Sequence, residues 1–386
     1  MNHVHSLPPL SRAPLRAAEF FAGIGLVRAG LEPAGFEVVW ANDFEPSKKE
    51  MYEGNFGTDH DFALGDVAAV KSSHLPEDLD LAWASFPCTD LSLAGDRRGL
   101  AGKQSGTFFH FTRILAELGD KKPRVIALEN VNGLATSHGG DDMAALVREL
   151  NSLGYSVDVM ALDGRRFVAQ SRPRIFIVGS MDVPVEDTEP VSTLRPEWLQ
   201  SVFQDETLVT HRAALPEPPA MLTVGLSEAI EAMGPRDGRW WEAERKKKFL
   251  DSLSVVQRAR LDAMKASELV TYRTAYRRTR AGVPVWEIRA DEISGCLRTA
   301  RGGSSKQAVV MAGQGKIAVR WMTPVEYARL MGAPDYNLGG LRESQILFGF
   351  GDAVVVPAVQ WVGDNYLAPL IRGELAQPAL LERVAG

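Results

Sequence analysis

Cysteine is nearly absent from the sequence: among 386 residues there are only two, Cys88 and Cys296. Two cysteines are too few for a disulfide framework or for a cysteine-rich zinc site. Their scarcity favours a reducing environment in which thiols stay free. We therefore expect neither a disulfide bond nor a bound metal.

Long apolar runs are absent as well. No uninterrupted apolar stretch approaches the roughly 18 residues that would suggest a membrane-spanning helix. Residues 1–18 contain Pro8, Pro9 and Pro14 and lack the continuous apolar core of a secretory signal. With 45% hydrophobic and 24% charged residues, the composition is that of an ordinary globular protein. We expect a soluble, cytoplasmic protein of about two domains, without a membrane partner.

The sequence also lacks an overall positive charge. The formal net charge is -6, which argues against a general nucleic-acid coat protein. An average conceals local differences, and residues 236–280 contain thirteen Lys or Arg against six Asp or Glu. This segment is either a phosphate-binding surface or the solvated face of helices. Charge alone leaves both interpretations open.

A glycine turn near the N-terminus suggests a nucleotide-like ligand. A short apolar strand leads into Gly23 and Gly25 and then into a helical pattern, and a second apolar run ends at Asp43, about twenty residues later. Glycines allow the backbone to approach a ligand, and a carboxylate at this spacing can accept hydrogen bonds from ribose hydroxyls. The pattern indicates an adenosine-containing ligand. Asp66, after a third short strand, is either a contact to the adenine amino group or a turn residue.

Two further predicted strands lead into side chains with chemical potential. Cys88 follows the apolar run 79–84, and Glu129 follows the run 124–128. Ligands of open α/β sheets bind at the carboxyl ends of the strands, so both side chains are expected at the same edge. Cys88 is then either a nucleophile or a small buried apolar residue. Glu129 is either a proton donor to a ring nitrogen or a surface loop acid.

Two arginines, Arg172 and Arg174, alternate in a segment between strands predicted at 155–162 and 174–179. The short link predicts that these strands are antiparallel neighbours. Alternation places both side chains on one side, which suits the binding of an anion or a base oxygen. A charged hairpin edge is the other interpretation.

The regular alternation of strands and helices breaks down between residues 181 and 319, where we expect a separate, irregular domain. Within it, the glycine-rich and basic stretch 298–306 is either a backbone contact to phosphates or a surface loop. Helical patterning returns at Thr323, with Pro324 in the first turn and Glu326 completing a capping box. A final apolar helix is predicted from 354 to 370.

Taken in order, six motifs resemble those of the DNA cytosine-5 methyltransferases. The resemblance covers residues 17–180 and 320–370, more than half of the chain. Six motifs in one order are far more specific than any one of them. The motifs are Phe20-Phe21-Ala22-Gly23-Ile24-Gly25, Phe86-Pro87-Cys88, Glu129-Asn130-Val131, Gln170-Ser171-Arg172-Pro173-Arg174, residues 320–334 and Gly351-Asp352-Ala353-Val354-Val355.

The resemblance implies an α/β fold. It comprises a Rossmann-like, S-adenosylmethionine-dependent methyltransferase domain with a mixed sheet, and a smaller, irregular target-recognition domain. The catalytic and cofactor-binding domain is expected at residues 1–180 and the target-recognition domain at 181–319, while 320–386 return to the catalytic domain. In this family the target-recognition domain varies most, which would explain why 181–319 match little.

The resemblance also implies an activity. Enzymes of this family transfer a methyl group from S-adenosylmethionine to carbon 5 of a cytosine flipped out of a specific double-stranded DNA sequence, and release S-adenosylhomocysteine. The thiolate, here Cys88, adds to carbon 6 of the ring. Glu129 would donate a hydrogen bond or proton to ring nitrogen 3, Arg174 would orient the carbonyl oxygen, and Arg172 would support the catalytic loop or backbone.

The remaining site residues follow from the resemblance by position. The implied enzyme is a monomer that binds double-stranded DNA, is nucleoid-associated when bound, and has a cognate restriction or defence nuclease as a second expected partner. Cofactor-binding residues would be Phe21, Gly23, Gly25 and Leu26 at the amino-acid moiety, Asp43 at the ribose, Phe44 and Asp66 at the adenine, and also Pro87, Asp352 and Val354. Thr89 and Ser92 are also expected to contact DNA. Within residues 181–319, Arg273, Arg277, Arg298 and Arg301 are candidate base readers because arginine often pairs with guanine, and no code links them to particular bases.

Two positions depart from the family pattern. Thr89 stands where the family usually has glutamine, which puts a contact to DNA in doubt. Asp352 stands in place of the usual asparagine and could alter cofactor affinity or repel a phosphate. Two alternatives stay open: the same chemistry on tRNA, although the Cys-Phe-Thr signature of the RNA-directed relatives is absent, and a DNA-binding or regulatory protein that has lost catalysis.

Overall fold

The computed structural model describes residues 13–87, 105–280, 282–299 and 306–375, which form two sheets flanked by helices. The strands of these residues are β1 (Leu15–Phe20), β2 (Phe36–Asp43), β3 (Asp61–Leu64), β4 (Leu81–Ala84), β5 (Val125–Asn130), β6 (Ser156–Asp163), β7 (Pro173–Ser180), β8 (Thr271–Arg280), β9 (Val283–Ile288), β10 (Ala308–Gly313) and β11 (Lys316–Trp321). The helices are α1 (Leu26–Leu31), α2 (Pro46–Phe56), α3 (Phe108–Leu118), α4 (Gly133–Thr136), α5 (Asp141–Ser152), α6 (Gln200–Gln204), α7 (Leu226–Ala229), α8 (Ala243–Asp251), α9 (Val255–Ala266), α10 (Pro324–Leu330), α11 (Glu343–Asp352), α12 (Val356–Val362) and α13 (Ala368–Ile371).

Seven of the described strands form one mixed sheet in the order β3-β2-β1-β4-β5-β7-β6. β1 to β5 are parallel, and β7 runs antiparallel to both of its neighbours, which confirms the antiparallel pair predicted from the short link. The strand order reverses between β1 and β4, where doubly wound sheets bind their ligands. The last residues of these two strands, Phe20 and Ala84, are register partners. A ligand is therefore expected beyond the ends of these two strands.

Both faces of the large sheet are covered, which explains why β4 and β5 are apolar and buried throughout. One core layer contains Phe20, Phe111 and Leu146, and the other contains Trp83 and residues of α1 and α12. Gly30 shows how close the packing of α1 on α12 is. A Cβ at Gly30 would lie 2.7 Å from the carbonyl oxygen of Val356. The first and last parts of the described chain therefore share one core.

The chain beyond β7 first continues along the same sheet. Leu199, Val202 and Leu208 lie in the core layer that α3 and α5 form. The buried guanidinium of Arg195 donates to both carboxylate oxygens of Asp158 on β6, at 2.9 and 2.6 Å. Part of the segment 181–215 is thus anchored to the large sheet, and the domain division at 180 and 319 stays a prediction.

A second, antiparallel sheet has the order β11-β10-β8-β9. Phe249 of α8 and Leu261 of α9 pack on it, together with the partly buried rings of Trp241, Trp286 and Trp321. These strands were not predicted from the sequence. In β8, Thr-Tyr-Arg-Thr-Ala-Tyr-Arg-Arg-Thr-Arg, charged residues interrupt the apolar alternation by which a strand is identified.

The helix after β11 begins as predicted. Thr323 Oγ1 accepts a hydrogen bond from the backbone N–H of Glu326, and the Glu326 carboxylate accepts one from the N–H of Thr323, with Pro324 in the first turn. Glu326 is fully buried and forms an ion pair with Arg320, in which Nη1 lies 2.8 Å from Oε2. The capping box therefore also fastens α10 to the second sheet.

The helical stretch Glu343–Ile371 is 29 residues long and apolar enough, by length and composition alone, to cross a membrane. Its most apolar window is 67% buried inside the protein. A central helix of a folded core has the same properties. Contact with the sheet and with α1 accounts for the apolar character of this stretch.

Burial of His211 generates a prediction about pH. Its ring nitrogens lie 2.9 Å from Ser156 Oγ and 2.9 Å from Tyr366 Oη, and burial lowers the pKa of His211 below its ordinary value of 6.5. The unfolded chain therefore binds a proton that the folded protein does not, so the free energy of unfolding falls as the pH drops below about 6.5. We expect His211→Gln to flatten this fall in urea titrations.

The exposed His74 supplies the control, since His74→Gln removes a histidine without altering the buried network. We expect it to retain the wild-type dependence on pH. A His211→Gln protein whose stability falls as steeply as that of the wild type would contradict the prediction.

Candidate active site

Glu129 and Arg174 meet where β5 pairs with β7. Because these strands are antiparallel, the end of one faces the start of the other, and Glu129 is the register partner of Phe176. Arg174 lies two residues away and therefore on the same face of the sheet. Arg174 Nε is 2.7 Å from Glu129 Oε1, with the side chains 13% and 9% exposed. The predicted carboxylate and arginine thus form an ion pair that is nearly closed to solvent.

The segment that leads to Cys88 is fixed beside this pair. Asn130 follows Glu129, is buried, and donates from Nδ2 to the carbonyl oxygen of Phe86 at 3.1 Å. Pro87, next in the chain, is half-buried. Cys88 lies outside the described residues. The described geometry therefore positions the chain up to the residue that precedes the predicted nucleophile.

Arg172 is 2% exposed and binds two other parts of the chain. Its Nη1 donates to the carbonyl oxygen of Leu297 at 2.8 Å and lies 3.2 Å from Cys296 Sγ. Its Nη2 donates to the carbonyl oxygens of Gly351 at 3.2 Å and Ala353 at 2.5 Å. These contacts join the turn between β6 and β7 to the segment after β9 and to the end of α11. Arg172 therefore holds these three segments together.

Cys296 lies beside the same arginines, although sequence analysis gave it no role. Burial raises the pKa of its thiol, but the guanidinium groups of Arg172, Arg174 and Arg298 outweigh burial, so the pKa lies below its usual value. The only signal in the sequence was that the chain has one cysteine besides Cys88. Its neighbours are long-range contacts, which a local pattern does not reveal.

The predicted glycine turn follows β1, with left-handed backbone at Phe21 (φ 57°), Gly23 (φ 58°) and Gly25 (φ 82°). The two glycines have different surroundings. A Cβ at Gly25 would lie 2.9 Å from Tyr52 Cδ2, so close packing on α2 excludes a side chain there. A Cβ at Gly23 would have only the carbonyl oxygen of Phe21 nearby, at 4.0 Å. Gly23 therefore borders open space.

Asp43, at the end of β2, holds this turn in place. It is 5% exposed, and its Oδ2 accepts a hydrogen bond from the backbone N–H of Gly23 at 2.9 Å. Its Oδ1 accepts from the N–H of Glu45, also at 2.9 Å. Each carboxylate oxygen can accept a second hydrogen bond. The structure thus brings the predicted glycine and the predicted acid into direct contact.

The other predicted cofactor residues differ in exposure. Phe44, directly after β2, is 61% exposed, so one ring face can be covered by a planar ligand. Asp66 is exposed, and its Oδ1 accepts a hydrogen bond from the N–H of Ala68 at 2.9 Å, as a turn aspartate does. Leu26 and Val354 are buried in the core. Their side chains support the turn and the end of α11.

Asp352 has a partner that the sequence did not indicate. Lys48 Nζ, from α2, lies 3.0 Å from Asp352 Oδ2 at the end of α11. The two residues are 304 positions apart, so no motif places them together. The aspartate that departs from the family pattern is therefore half of an ion pair.

Of the predicted DNA-contacting residues that the structure describes, Arg273 and Arg277 lie on β8 and Arg298 lies in the segment after β9. Arg273 Nη1 lies 2.9 Å from Glu292 Oε1, and Arg277 Cζ lies 5.7 Å from the centre of the Trp286 ring. Arg298 is exposed. The predictions that fall outside the described residues are Thr89, Ser92 and Arg301.

Glu19, which was not predicted to have a role, lies in β1 directly before the glycine turn. Glu19 is fully buried, and burial raises its pKa to about 8, against the opposing charge of Arg28. Tyr52 Oη donates to its Oε2 at 3.4 Å, while its Oε1 has no hydrogen-bond partner among the described residues. The signal was present in the sequence: one carboxylate interrupts the apolar run 17–22.

Comparison with known proteins decides the family. The model of a family described as C-5 cytosine-specific DNA methylase matches residues 15–367. The chain belongs to this family. It is a DNA (cytosine-5) methyltransferase, which confirms the prediction made from the ordered motifs.

Two curated relatives illustrate the similarity of this methyltransferase to known proteins. The type II methyltransferase M.Bsp6I of Bacillus sp. (strain RFL6) is 28% identical over 358 residues, which cover 91% of this chain and 98% of the relative. The type II methyltransferase M.HaeII of Haemophilus aegyptius is 34% identical over 196 residues, which cover 50% of this chain and 59% of the relative.

Solved structures support the fold of the methyltransferase. The S. pombe Dnmt2 methyltransferase has a TM-score of 0.55 at 17% identity, with 94% of this chain and 99% of that chain covered. The Entamoeba histolytica methyltransferase EhMeth has a TM-score of 0.57 at 14% identity, with 95% and 100% covered. These likenesses confirm the predicted α/β class with a mixed sheet and a second, smaller part.

Glu19 generates a prediction about the stability of the methyltransferase. A pKa raised from 4.5 to about 8 means that its contribution to stability is complete below pH 4.5 and is lost as the pH rises through about 8. Glu19→Gln removes this loss, so we expect the variant to be more stable than the wild type at about pH 9, by at most about 5 kcal/mol. The gain should shrink toward pH 4.5 in urea unfolding measurements.

Glu37→Gln, which changes an exposed residue of β2, is the control. A gain in stability of Glu19→Gln that did not depend on pH would contradict the prediction.

Proposed function

We propose that this methyltransferase transfers a methyl group from S-adenosylmethionine to carbon 5 of a cytosine flipped out of a specific double-stranded DNA sequence, through a covalent adduct with Cys88. The observation that carries the proposal is the Glu129–Arg174 pair, at 2.7 Å, beside the segment that ends in Pro87. A carboxyl group, a guanidinium and a following thiol are the groups that this chemistry requires.

The cleft beyond β1 and β2 fits an adenosine-containing cofactor. Gly23 borders open space, Asp43 has remaining acceptor capacity for ribose hydroxyls, and Phe44 offers an exposed ring for the adenine. When bound, S-adenosylmethionine supplies the methyl group on an electrophilic sulfonium. Phe21, Gly25 and Leu26 shape the turn against which its amino-acid end would lie.

The chain's own residues would make carbon 5 of the cytosine reactive. The Cys88 thiolate adds to carbon 6, and the S–C6 bond replaces the 5,6 double bond of the ring. With a proton on its carboxyl group, Glu129 donates a hydrogen bond to ring nitrogen 3 and offsets the negative charge that develops as sulfur adds. Arg174 holds the carboxyl group of Glu129 in position and orients the carbonyl oxygen of the base. After methylation a base removes the proton at carbon 5, and the S–C6 bond breaks.

Duplex DNA would bind across the large sheet and the second sheet. The target carbon lies inside the base stack, so the nucleotide must leave the stack at a cost of a few kcal/mol. Arg273, Arg277 and Arg298, with Arg301, are the candidates for contacts to bases or phosphates. The irregular charge pattern of β8, which obscured the strand in the sequence, is in keeping with a surface that contacts an anion.

The biological role follows from the relatives. M.Bsp6I and M.HaeII are named as type II methyltransferases, so we assign this chain to the same class, as the modification partner of a restriction or defence nuclease. We place it in the cytoplasm as a monomer, on the nucleoid when bound to DNA. Bisulfite sequencing of DNA from cells that express the protein would reveal the methylated sequence.

Cys88 is tested by trapping on the DNA sequence found in this way. Fluorine at carbon 5 cannot leave as a proton, so a duplex with 5-fluorocytosine at the target should accumulate a denaturation-resistant adduct in the presence of cofactor. We expect the adduct with the wild type and its absence with Cys88→Ala. Cys296→Ala should still form it, because the thiol that adds is that of Cys88. Adduct formation by Cys88→Ala, or methyl transfer to tRNA and not to duplex DNA, would refute the proposal.

Glu129 is tested by the rate of methyl transfer from labelled cofactor. Glu129→Gln keeps the shape of the side chain but removes the acid, so we expect a rate reduced by about 10²-fold or more. Arg124, near the start of β5 and in an exposed ion pair with Asp182, gives the matched control. Arg124→Gln should retain the wild-type rate, and a Glu129→Gln enzyme at full rate would show that the carboxyl group is not involved.

A further inference from the structure

The two charges of the Lys48–Asp352 ion pair are unequally exposed. The side chain of Lys48 is 11% exposed, and that of Asp352 is 43% exposed. The ammonium nitrogen lies 3.0 Å from Asp352 Oδ2 and 5.5 Å from the centre of the Phe348 ring. Lys48 is therefore a nearly buried cation whose accessible neighbour is a carboxylate.

This pair lies near the residues assigned to the cofactor, because α11 packs on the glycine turn: a Cβ at Gly349 would lie 2.6 Å from Ile24 Cγ2. Lys48 lies in the first half of α2, which begins three residues after Asp43. Burial acts to lower the pKa of Lys48, but the carboxylates of Asp43 and Asp352 outweigh it, so the pKa is raised and the ammonium stays charged. One cation is thus shared between the acid assigned to the ribose and the acid at the end of α11.

The end of α11 also adjoins the base site. Asp352 lies between Gly351 and Ala353, whose carbonyl oxygens both bind the guanidinium of Arg172. At the other end of the helix, Gln345 Nε2 donates to the carbonyl oxygen of Ser47 at 3.0 Å. The ion pair is therefore part of a close junction between α2 and α11, and its two charges are held in place.

Methyl transfer changes the charge of the bound molecule. S-adenosylmethionine carries a sulfonium and has a net charge of one, whereas S-adenosylhomocysteine has lost the sulfonium and is neutral overall. A fixed charge near the cleft therefore acts on their relative affinities. A carboxylate favours the cofactor over the product, and an uncompensated ammonium does the reverse.

We propose that Lys48 and Asp352 form a charge-balancing pair, in which each charge cancels the effect of the other on the relative affinities of the cleft for S-adenosylmethionine and S-adenosylhomocysteine. The inference rests on the proposed function. It also accounts for Asp352 itself: a neutral amide at this position would leave the charge of Lys48 less compensated beside the cleft. In this chain Asp352 supplies the negative charge that compensates the ammonium group of Lys48.

The test is the ratio of the dissociation constants of S-adenosylmethionine and S-adenosylhomocysteine, measured by calorimetry without DNA. Asp352→Asn should raise this ratio by about threefold or more, and Lys48→Met should lower it by a similar factor, as expected for one partly screened unit charge. The double variant should return the ratio to the wild-type value. Lys48→Arg, which keeps the charge, should retain it.

Lys49→Met is the matched control, because Lys49 lies on the same helix but pairs with Glu53 at 3.5 Å. It should leave the ratio unchanged. Urea unfolding without ligand verifies that each variant folds, and a purely structural pair would change stability without changing the ratio.

Separate outcomes distinguish the two proposals. Suppose that the wild type binds both compounds. If Asp352→Asn and Lys48→Met then have the wild-type ratio, or if Lys49→Met shifts the ratio as much as Lys48→Met does, the charge-balancing role is wrong and the proposed function stands. If the wild type binds neither compound, the proposed cofactor is wrong, and this inference fails with it.

Discussion

The buried guanidinium of Arg172 is the contact on which the arrangement of the site depends most. It is almost fully enclosed, and a buried charge without partners is strongly destabilising, typically by about 3–5 kcal/mol when one partner is removed. Here the partners include the backbone carbonyl groups of Leu297, Gly351 and Ala353. A backbone carbonyl group is present whatever the side chain at its position. Arg172 therefore positions these segments through the main chain. Arg174, two residues on, is thereby held against Glu129.

Among the residues assigned to the cofactor, a buried carboxylate is likewise stabilised by backbone groups. Asp43 is a buried carboxylate, and it is stabilised by two backbone N–H groups, of Gly23 and Glu45, and by the nearby charge of Lys48. On each side of the cleft a buried ionic group is satisfied chiefly by the main chain. Groups arranged in this way need little reorganisation when charge develops in a reaction, which is the condition for electrostatic stabilisation of a transition state.

Much of this could be predicted from the sequence, and the failures have physical causes. The apolar strands that end near Asp43, Cys88 and Glu129 are identified by local patterns, and parallel topology then brings their ends together. Lys48 was missed because its partner is 304 residues away. The strand β8 was missed because its arginines interrupt the alternation of apolar and polar residues that is typical of a strand. Glu19 carried a signal, a lone acid in an apolar strand, but only the structure supplies the degree of burial that raises its pKa.

The packing of Gly30 in α1 against Val356 in α12 bears on how the protein is made. The chain leaves the ribosome with its N-terminus first. Helix α1 is therefore synthesised more than three hundred residues before α12, the helix that covers it. At about 5–20 residues per second, the delay is on the order of tens of seconds. During that time the apolar face of the first strand and helix has no permanent cover. The nascent protein therefore depends on α12 to bury the surface of α1, and that core can close only after α12 has left the ribosome.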